Sequence, residues 1–154
     1  MPDYPGAKVA IQQRLTANWT TTPVVMQNKD KPEGWTAAWP PVDADAVLLP
    51  WTLLEILSTG SEIAGSGKRG NHLWHYFGNI LVHVFVPVGE GQERADQYAN
   101  QIGEIFRAAE FYNGTPGYCV RTLAPSVDDG GTSDDDGDWF RVTMSVDFTY
   151  WHRG

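Results

Sequence analysis

Cysteine and long apolar runs are both nearly missing from this sequence. Among 154 residues only Cys119 carries a thiol, so no disulfide can form within the chain. We interpret Cys119 as a small, half-buried strand residue and not as a nucleophile. No apolar run approaches the roughly 20 residues of a transmembrane helix. The N-terminal segment has no basic patch followed by an apolar stretch, so we expect no secretion signal and no membrane partner.

Basic residues are also scarce. The sequence has 11 Lys and Arg against 19 Asp and Glu, a formal net charge of −8. Tight binding to nucleic acid is built from cations, so this balance excludes DNA as a tightly held partner. It still allows a surface past which DNA slides without binding. The apolar content of 42% is that of a globular protein, and we expect one domain over residues 1–154.

A complete phosphate-binding motif is missing at the one place where strand, glycines and helix follow each other. The stretch "VHVFVPVGEGQERAD" begins a Gly-x-Gly pattern, but Arg94 stands where a dinucleotide fingerprint needs its third glycine. Glu90, Glu93 and Asp96 complement the dipole of the helix and would repel a phosphate. We therefore interpret this stretch as a strand-to-helix connection.

The second glycine-rich stretch, "GSGKRG" at Gly65–Gly70, fails the same test. A P-loop needs glycine where Glu62 stands, and Ser or Thr where Arg69 stands. We expect a flexible basic tip, and Lys68 and Arg69 become candidates for contact with an acidic partner.

No local sequence pattern brings potential metal ligands together. His75 and His83 share a strand face but lie eight residues apart, about 26 Å at strand rise, and His72 points to the other face. The acidic stretch "SVDDGGTSDDDGD" has Thr132 and Thr143 where a calcium loop needs ligands. We predict no metal, no cofactor and no catalytic residues, so the protein is not expected to be an enzyme. The acidic residues Asp134, Asp135 and Asp136 remain as candidates for an interface.

Apolar periodicity predicts the elements of the fold. A first helix is capped by Asp3 and carries a stripe with a spacing of four, and a second helix is expected from about Gln92 to Phe111. Strands are expected at "PVVMQ", "VLLPWTLLEILS" and "YCVRTLA", with a long one from Leu73 to Pro87. The last strand alternates, with Phe140, Val142, Met144, Val146, Phe148 and Tyr150 facing the core. The predicted class is α+β: a single mixed, mainly antiparallel β-sheet with two helices packed on it.

Two long exposed loops are expected, at residues 28–46 and 126–138. Trp35 and Trp39 in the first loop either fold back onto the body or anchor a neighbouring chain, since Trp is enriched at interface hot spots. In the long strand, Gly78 suggests a bulge. The second face of that strand is mixed, and its residues His75, Phe77 and His83 are candidates for contact with another subunit.

The order of these segments resembles a known protein family. A helix ending "RLTANW" precedes "TPVVMQN"; a long strand "LVHVFVPVGEG" leads into the helix "ERADQYANQIGEIF"; and "FRVTMSVDFTYW" closes the chain. Together they resemble the tail terminator proteins of long-tailed (siphovirus-like) bacteriophages and a related phage minor tail protein family. The loop Pro32–Pro41 and the acidic insert Asp128–Asp138 depart from the family's plainest pattern.

The resemblance implies a structural virion protein without catalytic residues. Such a protein forms a homo-oligomer, expected to be a hexameric ring, at the head-proximal end of the tail, and is assembled in the host cytoplasm. The ring caps the tail tube protein, stops its polymerisation and joins it to the head–tail connector or stopper protein. DNA passes through the lumen without specific binding. The alternatives are another head–tail connector or tail-completion protein, and a small-molecule-binding α+β domain that uses Gly65–Gly70.

Overall fold

The computed structural model describes residues 2–65, 67–132 and 137–154. Within these ranges the elements, in chain order, are α1 (Tyr4–Asn18), β1 (Val24–Met26), β2 (Trp51–Gly65), β3 (Leu73–Pro87), α2 (Glu93–Phe106), β4 (Glu110–Phe111), β5 (Cys119–Thr122), β6 (Ser126–Val127), β7 (Gly131–Thr132) and β8 (Trp139–Arg153).

One sheet contains all eight described strands, in the order β1-β2-β3-β8-β5-β4. The short strands β6 and β7 also pair with β8, beyond the end of β5. Only β1 runs parallel to its neighbour, and the other pairings are antiparallel. The predicted class, an α+β fold with a mixed, mainly antiparallel sheet and two helices, is confirmed.

The core lies between the helices and one face of β2, β3 and β8. Along β3 and β8 the inward residues pair directly, as in Ile80 with Val146 and Val82 with Met144. The helices cover this face with stripes of fully buried residues, which are Ala7, Ile11 and Leu15 of α1 and Ala95, Ala99, Ile102 and Phe106 of α2. The predicted inward residues of the last strand are buried, except Phe140, which is half-buried against the core.

Helix α1 starts and ends as its sequence predicts. The Asp3 side chain accepts a hydrogen bond from the Gly6 backbone N–H at 2.7 Å, and Pro5 occupies the first turn. At the other end the Trp19 backbone N–H donates to the Leu15 carbonyl at 2.8 Å. The buried Trp19 ring then donates to the Thr22 hydroxyl at 2.9 Å, which fixes the chain as it enters β1.

Helix α2 is shorter than its sequence predicts. It ends at Phe106, and the expectation that it continues to Phe111 is wrong. The hydroxyl of buried Thr122 donates to the Phe106 carbonyl and accepts from the Ala109 N–H at 3.0 Å. Ala108 then takes a left-handed φ of 43°. A tertiary contact from β5 therefore ends this helix at Phe106, before the predicted end at Phe111.

Strand β2 begins at Trp51, later than the predicted segment "VLLPWTLLEILS", and it continues through "TGSEIAG" to Gly65 instead of ending at Ser58. The bulge expected at Gly78 lies in β2 instead, between Ser58 and Gly60, opposite Gly78 and Phe77. Gly78 itself is constrained by crowding. A Cβ there would lie 2.5 Å from the Leu57 carbonyl oxygen and 2.5 Å from the Phe148 ring.

The segment 126–138 is not one continuous loop. Its described part forms β6 and β7 on β8, joined by a turn in which Asp128 accepts from the Gly130 N–H at 3.0 Å. Segment 28–46 does lack helix and strand, apart from an isolated bridge between Val42 and Leu48.

Candidate functional site

The face of the sheet opposite the helices is the candidate site, and we call it the open face. The buried residues of both helices pack on the other face. The register of the three long strands places the residues of the open face side by side. They are Leu53, Glu55 and Leu57 of β2, Phe77, Asn79, Leu81 and His83 of β3, and Thr143, Ser145, Asp147 and Thr149 of β8. His75 of β3 and Trp151 of β8 extend it at the far end.

Apolar side chains on the open face remain partly in solvent. Leu57 is 40% exposed, and Leu123, which follows β5, is 53% exposed. Phe77 and Leu81 are half-buried among polar neighbours. A sheet face with this mixture resembles the surface of a protein–protein contact more than the wall of an enzyme cleft.

His83 lies at the centre of a three-strand polar contact. Its Nδ1 is 2.7 Å from the Thr143 hydroxyl, and its Nε2 is 3.2 Å from a Glu55 carboxylate oxygen. The side chain is nearly buried although it lies on the open face. Sequence reasoning selected His83 but missed Glu55 and Thr143. A carboxylate within the apolar stretch "WTLLEIL" was the available signal, because a charge there needs a partner.

A hydroxyl, an imidazole and a carboxylate in line also occur in hydrolase triads. Acyl transfer further requires N–H donors aimed at the developing oxyanion. The Thr143 N–H already donates to a carboxylate oxygen of Asp128 at 3.0 Å, and the Thr143 carbonyl accepts from the Asp128 N–H. The arrangement therefore supports a role in holding β2, β3 and β8 together at the centre of the face.

His75 ends the open face in an aromatic stack. Its ring lies 3.9 Å from the Trp151 ring at an angle of 14°, and 4.3 Å from the Phe77 ring. Burial lowers the pKa of His75 below its ordinary value, and the carboxylate of Glu62, 3.9 Å away, opposes this only in part. The imidazole is therefore neutral at pH 7 and adds to the apolar area of this end.

Five aromatic rings form a platform at the opposite end of the open face. Trp51 stacks on Phe85 at 4.1 Å and meets the edge of Trp139 at 5.9 Å. From the loop 28–46, Trp39 packs against Trp51 at 5.4 Å, and Trp35 packs against Trp39 at 5.5 Å. Trp39 thus folds back onto the sheet, which is the first of the two interpretations of this loop. Trp35 is the outermost ring of the platform and is half-exposed.

The remaining candidates lie away from the open face or outside the described residues. Lys68 and Arg69 are exposed in the turn that follows β2, and neither has an ion-pair partner in the described part of the chain. Asp134, Asp135 and Asp136 lie outside the described residues, so their assignment stays a prediction.

Among residues 2–65, 67–132 and 137–154, no three His, Cys, Asp or Glu side chains are placed to hold a metal ion. Neither described helix is long and apolar enough to span a membrane.

Comparison with known proteins identifies the fold alone. No protein-family profile and no curated protein sequence matches this chain. A solved structure that carries only a serial designation superimposes with a TM-score of 0.61 and is 21% identical in sequence. The match covers 94% of this chain and 92% of the other, so the likeness extends over the whole fold. At this identity it demonstrates a shared architecture and says nothing of a shared role.

Proposed function

We propose that this protein is a tail terminator of a long-tailed bacteriophage, forming a ring, expected to be hexameric, that caps the tail tube and joins it to the head connector. The observation that carries the proposal is the open face. The chain's own helices cover only the opposite face of the sheet, and apolar side chains such as Leu57 and Leu123 stay in solvent.

A ring needs a surface that a neighbouring copy or a tube subunit covers. The open face provides one along β2, β3 and β8, each of 15 residues and therefore about 50 Å long. The aromatic platform at one end provides large rigid side chains of the kind that dominate interface energetics. A closed ring also requires two complementary patches on each copy, because its contacts are heterologous.

The charge of the chain suits a protein through which DNA passes. A net charge of −8 repels the phosphate backbone, so a lumen made of such subunits would not retain the genome electrostatically. Specific DNA binding is not part of the proposal.

The test is the effect of the purified protein on polymerisation of the tail tube protein. We expect tubes of limited length that carry a ring of density at one end in negative-stain images. Tubes that grow unchanged, with no added density at either end, would exclude the role.

Imaging of the virion separates the terminator from a neighbouring connector protein. Density of this protein at the head-proximal end of the tube, in contact with the last tube ring, is the expected result. Density on the head portal without contact to the tube would assign it to the connector instead.

A further inference from the structure

No described strand pairs with the outer edge of the distal half of β2. β1 covers β2 only from Thr52 to Leu54, whereas β2 runs on to Gly65. From Leu57 to Ala64 the residues are exposed, and this half pairs on one side only, with β3. We call residues 57–65 and 67–72, which comprise this edge and the described part of the turn after it, the arm.

The chain shows that outward-pointing backbone groups on this edge take a partner wherever one is in reach. The Thr52 N–H donates to the Pro23 carbonyl at 3.0 Å, and the Ile56 N–H donates to the Gln27 side-chain oxygen at 3.0 Å. Beyond Ile56, no hydrogen bond from the rest of the described chain reaches this edge as far as Gly65. Along the nine residues Leu57–Gly65, the outer side of the strand backbone therefore has no hydrogen-bond partner among the described residues.

Natural edge strands are protected by charged side chains, especially lysine, by proline, by β-bulges or by short length. The segment Leu57–Gly65 has neither lysine nor proline, and nine residues span about 30 Å. Its two irregularities, near Gly60 and Gly65, leave a regular run from Gly60 to Ile63. Ile63 is a large apolar side chain, and it is 55% exposed on this edge.

We propose that the edge pairs, antiparallel and about a two-fold axis near Ser61, with the same segment of a second copy of this chain. The occupant has to be an extended backbone, because the free groups belong to a strand edge. Among the described edges of this chain, β1 has three residues and β4 has two. Only another copy of the β2 edge matches it in length.

Charge at the two ends of the overlap favours this pairing, although the chain as a whole is acidic and the two Glu62 carboxylates flank the axis on one face. The arm carries one carboxylate, Glu62, against two cations, Lys68 and Arg69, so it is locally positive. Antiparallel overlap about Ser61 brings the cationic turn of each copy to the Glu55 end of the other strand. The side chain of Glu55 is 34% exposed there, so each turn meets a carboxylate of the opposite copy.

Pairing at the arm is independent of the terminator role. A two-fold contact at the arm is isologous, whereas the contacts of a closed ring are heterologous. The paired edge and the ring are therefore separate properties, and each can fail alone.

Sedimentation velocity over a range of concentrations tests the pairing. The wild-type protein should show a reversible monomer–dimer equilibrium, and Ile63→Lys should weaken it about tenfold or more, because a lysine on an edge opposes strand addition. Val47→Lys is the matched control, since Val47 is 54% exposed and lies in the loop before β2. Equal effects of the two variants, or a wild-type chain that stays monomeric, would overturn the proposal.

A disulfide trap tests the register. In a Cys119→Ser background, Ser61→Cys should form an intermolecular disulfide under mild oxidation, because the two positions face each other across the axis. Ala37→Cys, exposed in the loop, provides the background rate. Cross-linking of Ser61→Cys no faster than Ala37→Cys would overturn pairing about Ser61. Circular dichroism of each variant, unchanged from wild type, shows that loss of pairing is not loss of folding.

Discussion

At the scale of the residue, Gly78 is the position where β2, β3 and β8 leave no room for a side chain. At Gly78 the space for a side chain is filled by the Leu57 carbonyl on one side and the Phe148 ring on the other. Backbone does not move aside as a flexible side chain does, so this glycine is required by close approach and not by its φ angle.

Replacing Gly78 by alanine should therefore cost about 3 kcal/mol of the free energy of unfolding, as overpacking in a core does. Gly114→Ala is the matched control, because a Cβ there meets nothing within 4 Å. We expect the control to change stability by less than about 0.5 kcal/mol. Urea denaturation of both variants gives the comparison, and similar losses would contradict the crowding at Gly78.

The stacked imidazole of His75 gives a pH-dependent contribution to stability. Burial lowers its folded-state pKa, so between the folded and unfolded values the unfolded chain binds more protons. This contribution is complete above the unfolded pKa, near 6.5, and is lost as the pH falls below it. His75→Phe keeps a ring against Trp151 and should flatten the slope of stability between pH 7 and pH 5. Equal slopes for variant and wild type, measured by denaturant titration, would show that His75 is not responsible.

At the scale of the element, a tertiary contact determines where α2 ends. The last turn of α2 has its carbonyl of Phe106 bound by the hydroxyl of Thr122, which is 3% exposed and comes from β5. That one side chain joins the helix terminus to the sheet and also binds the N–H of Ala109 at 3.0 Å.

Thr122→Val should destabilise the protein by about 2 to 3 kcal/mol, because it leaves a buried carbonyl and a buried N–H without partners while preserving shape. Thr122→Ser restores the hydroxyl and should recover most of the loss. Thermal unfolding measures both variants. A valine variant at least as stable as the serine variant would show that the methyl group of Thr122, and not its hydroxyl, makes the larger contribution.

The loop 28–46 is attached to the sheet through aromatic rings. Trp39 lies between Trp35 and Trp51, so removing it separates the loop from the body. Trp39→Ala should cost about 2 kcal/mol and increase hydrogen exchange throughout residues 28–46. Trp35→Ala removes only the outermost ring and should leave that exchange nearly unchanged. Matching exchange profiles for the two variants would show that Trp39 is not the attachment point.

At the scale of the whole molecule, the helices cover one face of the sheet and leave apolar side chains on the other face in solvent. If the open face is an assembly surface, a charge placed there should block capping of tail tubes without unfolding the chain. Leu123→Lys introduces a charge at a side chain 53% exposed on that face, and Val9→Lys does so at one 47% exposed on α1. We expect tail tubes to keep growing in the presence of Leu123→Lys and to be capped in the presence of Val9→Lys. Capping by both variants would contradict the use of the open face.

Local sequence determined the regular parts of this protein. The bounds of β3 and the inward residues of β8 follow from alternation, and α1 follows from its spacing of four and from Asp3. These features depend on neighbours along the chain, so they can be recognised without coordinates. The rejection of both glycine-rich stretches as phosphate sites also needed only the missing motif residues.

Tertiary structure decided what depends on residues distant in sequence. The end of α2 required Thr122, the extension of β2 required its pairing with β3, and the contact of His83 required Glu55, 28 residues away. The free edge of β2 likewise exists because β1 is short and stops at Met26. Such features are set by which strands become neighbours. That choice is made by burying a whole face of the sheet under two helices, and no local pattern records it.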